Sequence, residues 1–184
     1  MAAEAPSFDC TKADGTIEEL ICGDPGARGA RSAAGGGLRA VDRGDRGAGR
    51  SGDALASLKA YQRGLDQGRN DCWKADDQRA CTASEYQRRI AVLEATWQLV
   101  PQRRPGLLHV CAEEPANEIV ATFYEAELPA VRLERGDRTE VAVVEQTGSG
   151  SRYEGEFGLV FWIKGKEAQV EWPQGTSFTC RVRS

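Results

Sequence analysis

Two kinds of hydrophobic patterning divide this chain. Up to about residue 100 the apolar positions recur at helical spacing. After Thr82-Ala-Ser-Glu85, which has the spacing of a capping box, Tyr86, Ile90, Leu93 and Trp97 follow at steps of four, three and four and so share one helical face. A second capping box, Thr16-Ile-Glu-Glu19, predicts a shorter helix near the N-terminus, and Asp53 is placed to cap a third carrying Leu55, Leu58, Tyr61, Gln62 and Leu65. Beyond residue 107 the period falls to two. Val131 and Leu133 flank Arg132; Ala168, Val170 and Trp172 alternate with Gln169 and Glu171; Phe178, Cys180 and Val182 alternate with Thr179, Arg181 and Arg183. Turn residues separate these runs at Arg135-Gly-Asp137, Gly148–Ser151, Glu154-Gly155, Lys164-Gly165 and Pro173-Gln-Gly175. About seven or eight short strands in roughly 75 residues describe a small antiparallel barrel or sandwich.

The expected fold is therefore α+β in two parts: a helical domain over 7–99 and a small antiparallel β-barrel over 108–184. They are joined by a linker, 100–107, in which Pro101 and Pro105 surround polar residues. One stretch fits neither pattern. Gly23 to Gly52 holds ten glycines in thirty residues, with Leu38 and Val41 as its only large apolar side chains. Each glycine in a helix interior costs up to ~1 kcal/mol relative to alanine, so 23–52 is expected to be disordered. A shift of reading frame or a natural insert would each produce such an abrupt change of composition.

The six cysteines, Cys10, Cys22, Cys72, Cys81, Cys111 and Cys180, form an even set without a Cys-x-x-Cys pair, and His109 is the only histidine. Zinc sites draw on close Cys or His pairs, so neither a metal nor another cofactor is expected, and three structural disulfides in an oxidising, extracytoplasmic compartment are. No run of apolar residues reaches the ~20 needed to cross a bilayer. A basic stretch followed by an apolar core is also missing from the N-terminus, where Met1-Ala-Ala-Glu-Ala-Pro6 reads like a mature start.

Net charge is −4 and uneven: residues 109–184 hold 8 Lys/Arg against 13 Asp/Glu. No basic patch of the kind nucleic acid requires is visible, and an acidic domain suits a basic protein partner. The candidate chemistry lies in two motifs of that acidic domain, Ser149-Gly-Ser-Arg-Tyr153 and Phe161-Trp-Ile-Lys-Gly165, bracketed by Cys111 and Cys180. On spacing alone, a serine between glycines is a turn residue and a lysine before glycine is the solvated end of a hairpin. Ser149 is no hydrolase nucleophile, since Gly-x-Ser-x-Gly is not satisfied and the lone His109 sits near the linker.

These motifs, with both cysteines in order, resemble the MliC/PliC family, the membrane-bound and periplasmic inhibitors of C-type lysozyme. The resemblance covers about His109 to the C-terminus. It implies that Ser149, Gly150 and Tyr153 of one motif, and Lys164 and Gly165 of the other, form the lysozyme-binding site. Ser149 and Lys164 would then enter the active-site cleft, with Tyr153 and Trp162 supporting the motifs. It also implies a Cys111–Cys180 bond, closing a loop of about 70 residues and contributing roughly 4 kcal/mol in the chain-entropy model. The partner would be C-type lysozyme, a basic protein.

The first half resembles the LprI family of cysteine-paired helical domains at Phe8-Asp-Cys10, Glu19-Leu-Ile-Cys22, Asp24-Pro25, Arg69-Asn-Asp-Cys72, Cys81 and Tyr86-Gln-Arg-Arg-Ile90. Four cysteines allow three connectivities; nested pairing, Cys22 with Cys72 and Cys10 with Cys81, would staple an antiparallel helix pair and is the preferred expectation. Two other classes of function compete with inhibition. A glycosidase would need two carboxylates brought together, and nothing in the sequence places such a pair. An envelope module binding a small ligand or a protein, without lysozyme inhibition, is the alternative; for a small ligand it would need a hollow interior, which so small a domain is not expected to leave.

Overall fold

The computed structural model describes residues 9–24 and 69–183, apart from 127 and 174. It comprises two compact units, Met1–Ile90 and Ala91–Ser184. The glycine-rich stretch after Asp24 and the helix expected from Asp53 lie outside the described residues.

In the N-terminal unit α1 spans Thr16–Gly23; a longer helix, α2, spans Gln78–Trp97, and its residues from Ala91 onward belong to the C-terminal unit. Both begin earlier than their capping boxes suggest. The N-cap of α1 is Gly15, without a side-chain cap, and Glu18 reaches back to accept from the Asp14 N–H. At α2, Asp77 accepts from the Ala80 N–H one turn before Thr82, whose hydroxyl instead donates to the Gln78 carbonyl inside the helix. Aspartate is among the strongest N-caps, and a threonine buried within a helix satisfies its hydroxyl on the carbonyl four residues back.

Ile17, Ile21, Cys72 and Tyr86 form the core of this unit, with Leu20, Cys81 and Ile90 packed around them. Arg69 is buried; its guanidinium donates to the Tyr86 hydroxyl (3.3 Å) and Asn70 and lies 3.5 Å from Glu18. Of the LprI-like residues, Leu20, Ile21, Cys72, Cys81, Tyr86 and Ile90 thus belong to this one small core. All six cysteines are oxidised, but the nested pairing is not found: the bonds are Cys10–Cys22 and Cys72–Cys81. Each joins cysteines only 12 or 9 positions apart, so each cross-links one local turn instead of stapling two helices together.

The C-terminal unit is a closed eight-stranded antiparallel barrel in which each strand pairs with its neighbour in sequence. The strands are β1 Gln102–Cys111, β2 Glu114–Tyr124, β3 Ala130–Arg135, β4 Arg138–Glu145, β5 Ser151–Gly155, β6 Val160–Lys164, β7 Glu167–Trp172 and β8 Thr176–Val182. Closure falls between β1 and β8, where only three pairs form, His109 with Val182, Val110 with Arg181 and Cys111 with Cys180; the last pair carries the third disulfide. β1 begins inside the stretch expected to be a linker. Register shifts interrupt its first residues, and it meets β8 only from His109 onward, so this early part is an irregular edge that tolerates a proline.

The alternation read from the sequence holds inside the barrel. Ile119, Val131, Leu133, Phe161, Val170 and Trp172 fill its core. Val141–Val144 is apolar without alternation because both faces of β4 are covered there. Ala142 faces the barrel core, while Val143 packs on the outside with Tyr124, Ala130 and the α2 residues Ala91 and Ala95.

Candidate functional site

The loop between β4 and β5 carries Ser149, and the hairpin between β6 and β7 carries Lys164 and Gly165. Since β5 and β6 pair with Ser151 opposite Ile163, both motifs meet at one end of the barrel. Backbone geometry explains both glycines. Gly150 has φ +71°, and a Cβ there would lie 2.1 Å from the Ile163 carbonyl oxygen, so no side chain fits. Gly165 has φ +63° at the first central position of a two-residue hairpin between Lys164 and Glu167, a place where glycine is preferred.

Trp162 connects the two motifs. Its indole N–H donates to the Ser149 carbonyl (2.9 Å), and the Lys164 ammonium lies 3.4 Å from the centre of the same ring. Arg152, paired with Trp162 across β5 and β6, stands 5.4 Å from that ring and is held by Glu154 (2.7 Å). Across the hairpin from Lys164, Glu167 is engaged by Arg181 (2.9 Å). Among the described residues Lys164 therefore has no carboxylate partner, and the hydroxyl of the exposed Ser149 has no hydrogen-bond partner. An ammonium resting on an aromatic face and a free hydroxyl beside it suit an acidic, hydrogen-bonding target.

Tyr153 is elsewhere. It faces the barrel interior opposite Phe161, in edge contact with Phe123 (5.7 Å between ring centres). Burial pushes its phenol pKa up, against the pull of the Arg103 guanidinium. Tyr153 is thus part of the barrel core.

The same end of the barrel is concave. A cavity of about 580 Å³ opens there, walled by Leu107, Phe123 and Ile163 and bordered by Arg103, Arg104 and Lys166. It is an open pocket at the rim rather than an enclosed interior, since its border residues Arg103, Arg104, Ser151 and Lys166 are exposed. Arg103 and Arg104 were assigned to a linker; the available signal was a basic pair leading directly into an apolar strand of an acidic domain. His109, also on the cavity wall, is buried; its Nδ1–H donates to the Leu107 carbonyl (3.0 Å) and its ring meets Phe161 edge-on. Burial pushes its pKa down, leaving it neutral near pH 7.

Among the described residues no cluster of three or more His, Cys, Asp or Glu could hold a metal, and no helix is long and apolar enough to cross a membrane.

The stretch that builds most of this closed antiparallel barrel, including both motifs, is also the stretch with a family resemblance. Residues 109–178 match the family model described as the membrane-bound lysozyme-inhibitor of C-type lysozyme. Almost the whole chain is similar to Lipoprotein LprI of Mycobacterium bovis and of Mycobacterium tuberculosis. Each is 29% identical over 181 residues, covering 96% of this chain and 84% of the relative. The chain thus combines an MliC-like barrel with an LprI-like N-terminal part.

Proposed function

We propose that this protein is an extracytoplasmic inhibitor of C-type lysozyme, not an enzyme, and that it acts by inserting Lys164 and Ser149 into the acidic active-site cleft. The observation that carries this reading is the shared anchor. One indole holds the backbone of Ser149 and the ammonium of Lys164, and neither polar group is used up within the described barrel. Glycoside cleavage by such lysozymes needs two carboxyl groups, one as acid and one as nucleophile or stabiliser. An ammonium between them stabilises both as carboxylates and removes the acid, while the hydroxyl can donate to or accept from either. The rings and strands behind the motifs hold this arrangement before binding, which limits the entropy lost on association. The acidic balance of residues 109–184 attracts a basic enzyme at long range and so raises the association rate.

The test is inhibition of a C-type lysozyme, with goose-type and invertebrate-type enzymes as controls. Lys164→Ala should weaken inhibition by about 2–5 kcal/mol, because it strips a buried acidic site of its counter-charge. Lys164→Glu should be worse through like-charge repulsion, and Ser149→Ala should cost on the order of 1 kcal/mol for one hydrogen bond. Arg183, which pairs with Glu118 on the exposed surface, serves as a control position. A folded Lys164→Glu protein that inhibits like wild type would remove the insertion mechanism.

A further inference from the structure

The cavity at the barrel mouth has a chemistry that the insertion of Lys164 and Ser149 does not use. Its inner wall is apolar, from Leu107, Phe123 and Ile163, and its rim carries Arg103, Arg104 and Lys166. Among the described residues none of these three cations has a carboxylate partner, and no Asp or Glu lines the cavity. That is a segregation of charge in a barrel where, over residues 102–184, acids outnumber bases 13 to 10. A volume of about 580 Å³ falls within the range of small-molecule sites, which bury an apolar body and fix its orientation with a few charged groups.

We propose that the barrel mouth binds a single-chain amphiphile with an anionic head, of the fatty-acid type. Its alkyl chain lies against Leu107, Phe123 and Ile163, and its carboxylate sits among Arg103, Arg104 and Lys166. A carboxylate is favoured because guanidinium groups pair with it in a planar, two-point fashion and the rim supplies two of them. A cationic or neutral head would leave three like charges uncompensated. The neutral His109 adds no further positive charge to the wall. This site lies beside the Gly165 turn, but its existence does not rest on lysozyme binding.

Isothermal titration of the full oxidised chain with dodecanoate, kept below its micelle concentration and with no lysozyme present, tests the proposal. Binding should be one to one. Octanoate should bind at least about tenfold more weakly, because four fewer methylenes leave water. Dodecyltrimethylammonium, with the same chain and the opposite charge, should bind at least about tenfold more weakly than dodecanoate if charge at the rim selects the head. Arg103→Glu alone, and with Lys166→Glu, should lose dodecanoate binding while circular dichroism of the barrel stays unchanged, since both side chains are exposed. Equal binding of the cationic and anionic amphiphiles, absence of dodecanoate binding, or a folded Arg103→Glu protein that binds dodecanoate like wild type would each overturn it.

Discussion

Among the described residues of the N-terminal unit, two disulfides close short local loops around a cluster of four buried side chains; in the barrel one disulfide spans 69 positions and joins the two strands that close the sheet. The difference follows from the two architectures. Among the described residues, the turns at Cys10–Lys12 and Cys72–Lys74 are each tied by one of these bonds to the helix that follows, so each cross-link fixes a local turn. The barrel has a large core, but its closing seam has only three residue pairs, and its cross-link lies at that seam. The first unit is cross-linked within local turns, the second at its closing seam.

The most severe way to break this comparison is to remove each kind of bond. Replacing Cys111 and Cys180 with alanine should lower barrel stability by about 4 kcal/mol in the chain-entropy model; replacing Cys10 and Cys22 should cost about 3 kcal/mol, confined to the N-terminal unit. Hydrogen exchange in increasing denaturant, read by mass spectrometry on peptides from 9–24 and 69–90 against peptides from 102–183, would resolve the two. If the proposed function is right, the Cys10 and Cys22 pair can be lost without weakening lysozyme inhibition. A drop in inhibition would place part of the binding surface in the helical unit.

That contrast also explains what the sequence disclosed. The strands were legible from period-two alternation, because one face of each is buried in a single closed core; the alternation of β7, Ala168, Val170 and Trp172 against Gln169 and Glu171, is reproduced residue by residue. The Cys111–Cys180 bond was legible only through resemblance. The N-terminal pairing was not legible, since four cysteines on short segments admit three connectivities and spacing favours none. Of the candidate site, the positions of Ser149, Gly150, Lys164 and Gly165 were visible as turn residues. The role of Trp162 as their common anchor required the register that brings Trp162 opposite Arg152. The cavity was invisible because a concavity at the rim leaves no mark on hydrophobic pattern, and its arginines lay in what read as a linker.

Trp162 permits a finer test of whether function belongs to the barrel alone. Trp162→Leu removes the indole hydrogen bond to Ser149, worth about 1 kcal/mol, and the stacked ammonium of Lys164, worth about 0.5–1 kcal/mol. Inhibition should weaken by at most about 1.5–2 kcal/mol, the sum of those two contributions, while the unfolding midpoint of the barrel changes little because the ring lies on its outer face. Loss of fold with this substitution would mean that Trp162 stabilises the barrel instead of presenting its motifs.

A smaller effect distinguishes the units by pH. The pKa of His109 in the folded barrel is lowered by burial, so between that value and the ordinary value near 6.5 the unfolded chain binds a proton that the folded one does not. Barrel stability should therefore be complete above about pH 6.5 and fall as the pH drops through that window. His109→Phe, which preserves a ring against Phe161, should remove this contribution; it appears as the difference between the two proteins' stability–pH curves, leaving the carboxylates common to both. Parallel curves would show that His109 is not the group responsible.

The smallest expected effect separates the two ends of the barrel. Phe157 lies beyond the end of β5 opposite Ser149, is 81% exposed, and adopts φ +55°, a left-handed conformation that costs a side chain with Cβ about 1–2 kcal/mol. Its ring buries little to offset that cost. Asparagine tolerates the left-handed region better, because its short polar side chain can bond locally to the backbone. Phe157→Asn should consequently raise barrel stability by up to about 1 kcal/mol, read as a higher denaturant midpoint at unchanged slope. Inhibition should not change, since Phe157 and the Ser149–Lys164 motifs lie at opposite ends of the same strand. A stabilised protein with weakened inhibition would show that this end of the barrel also meets the partner, with the strained and exposed ring of Phe157 as the point of contact.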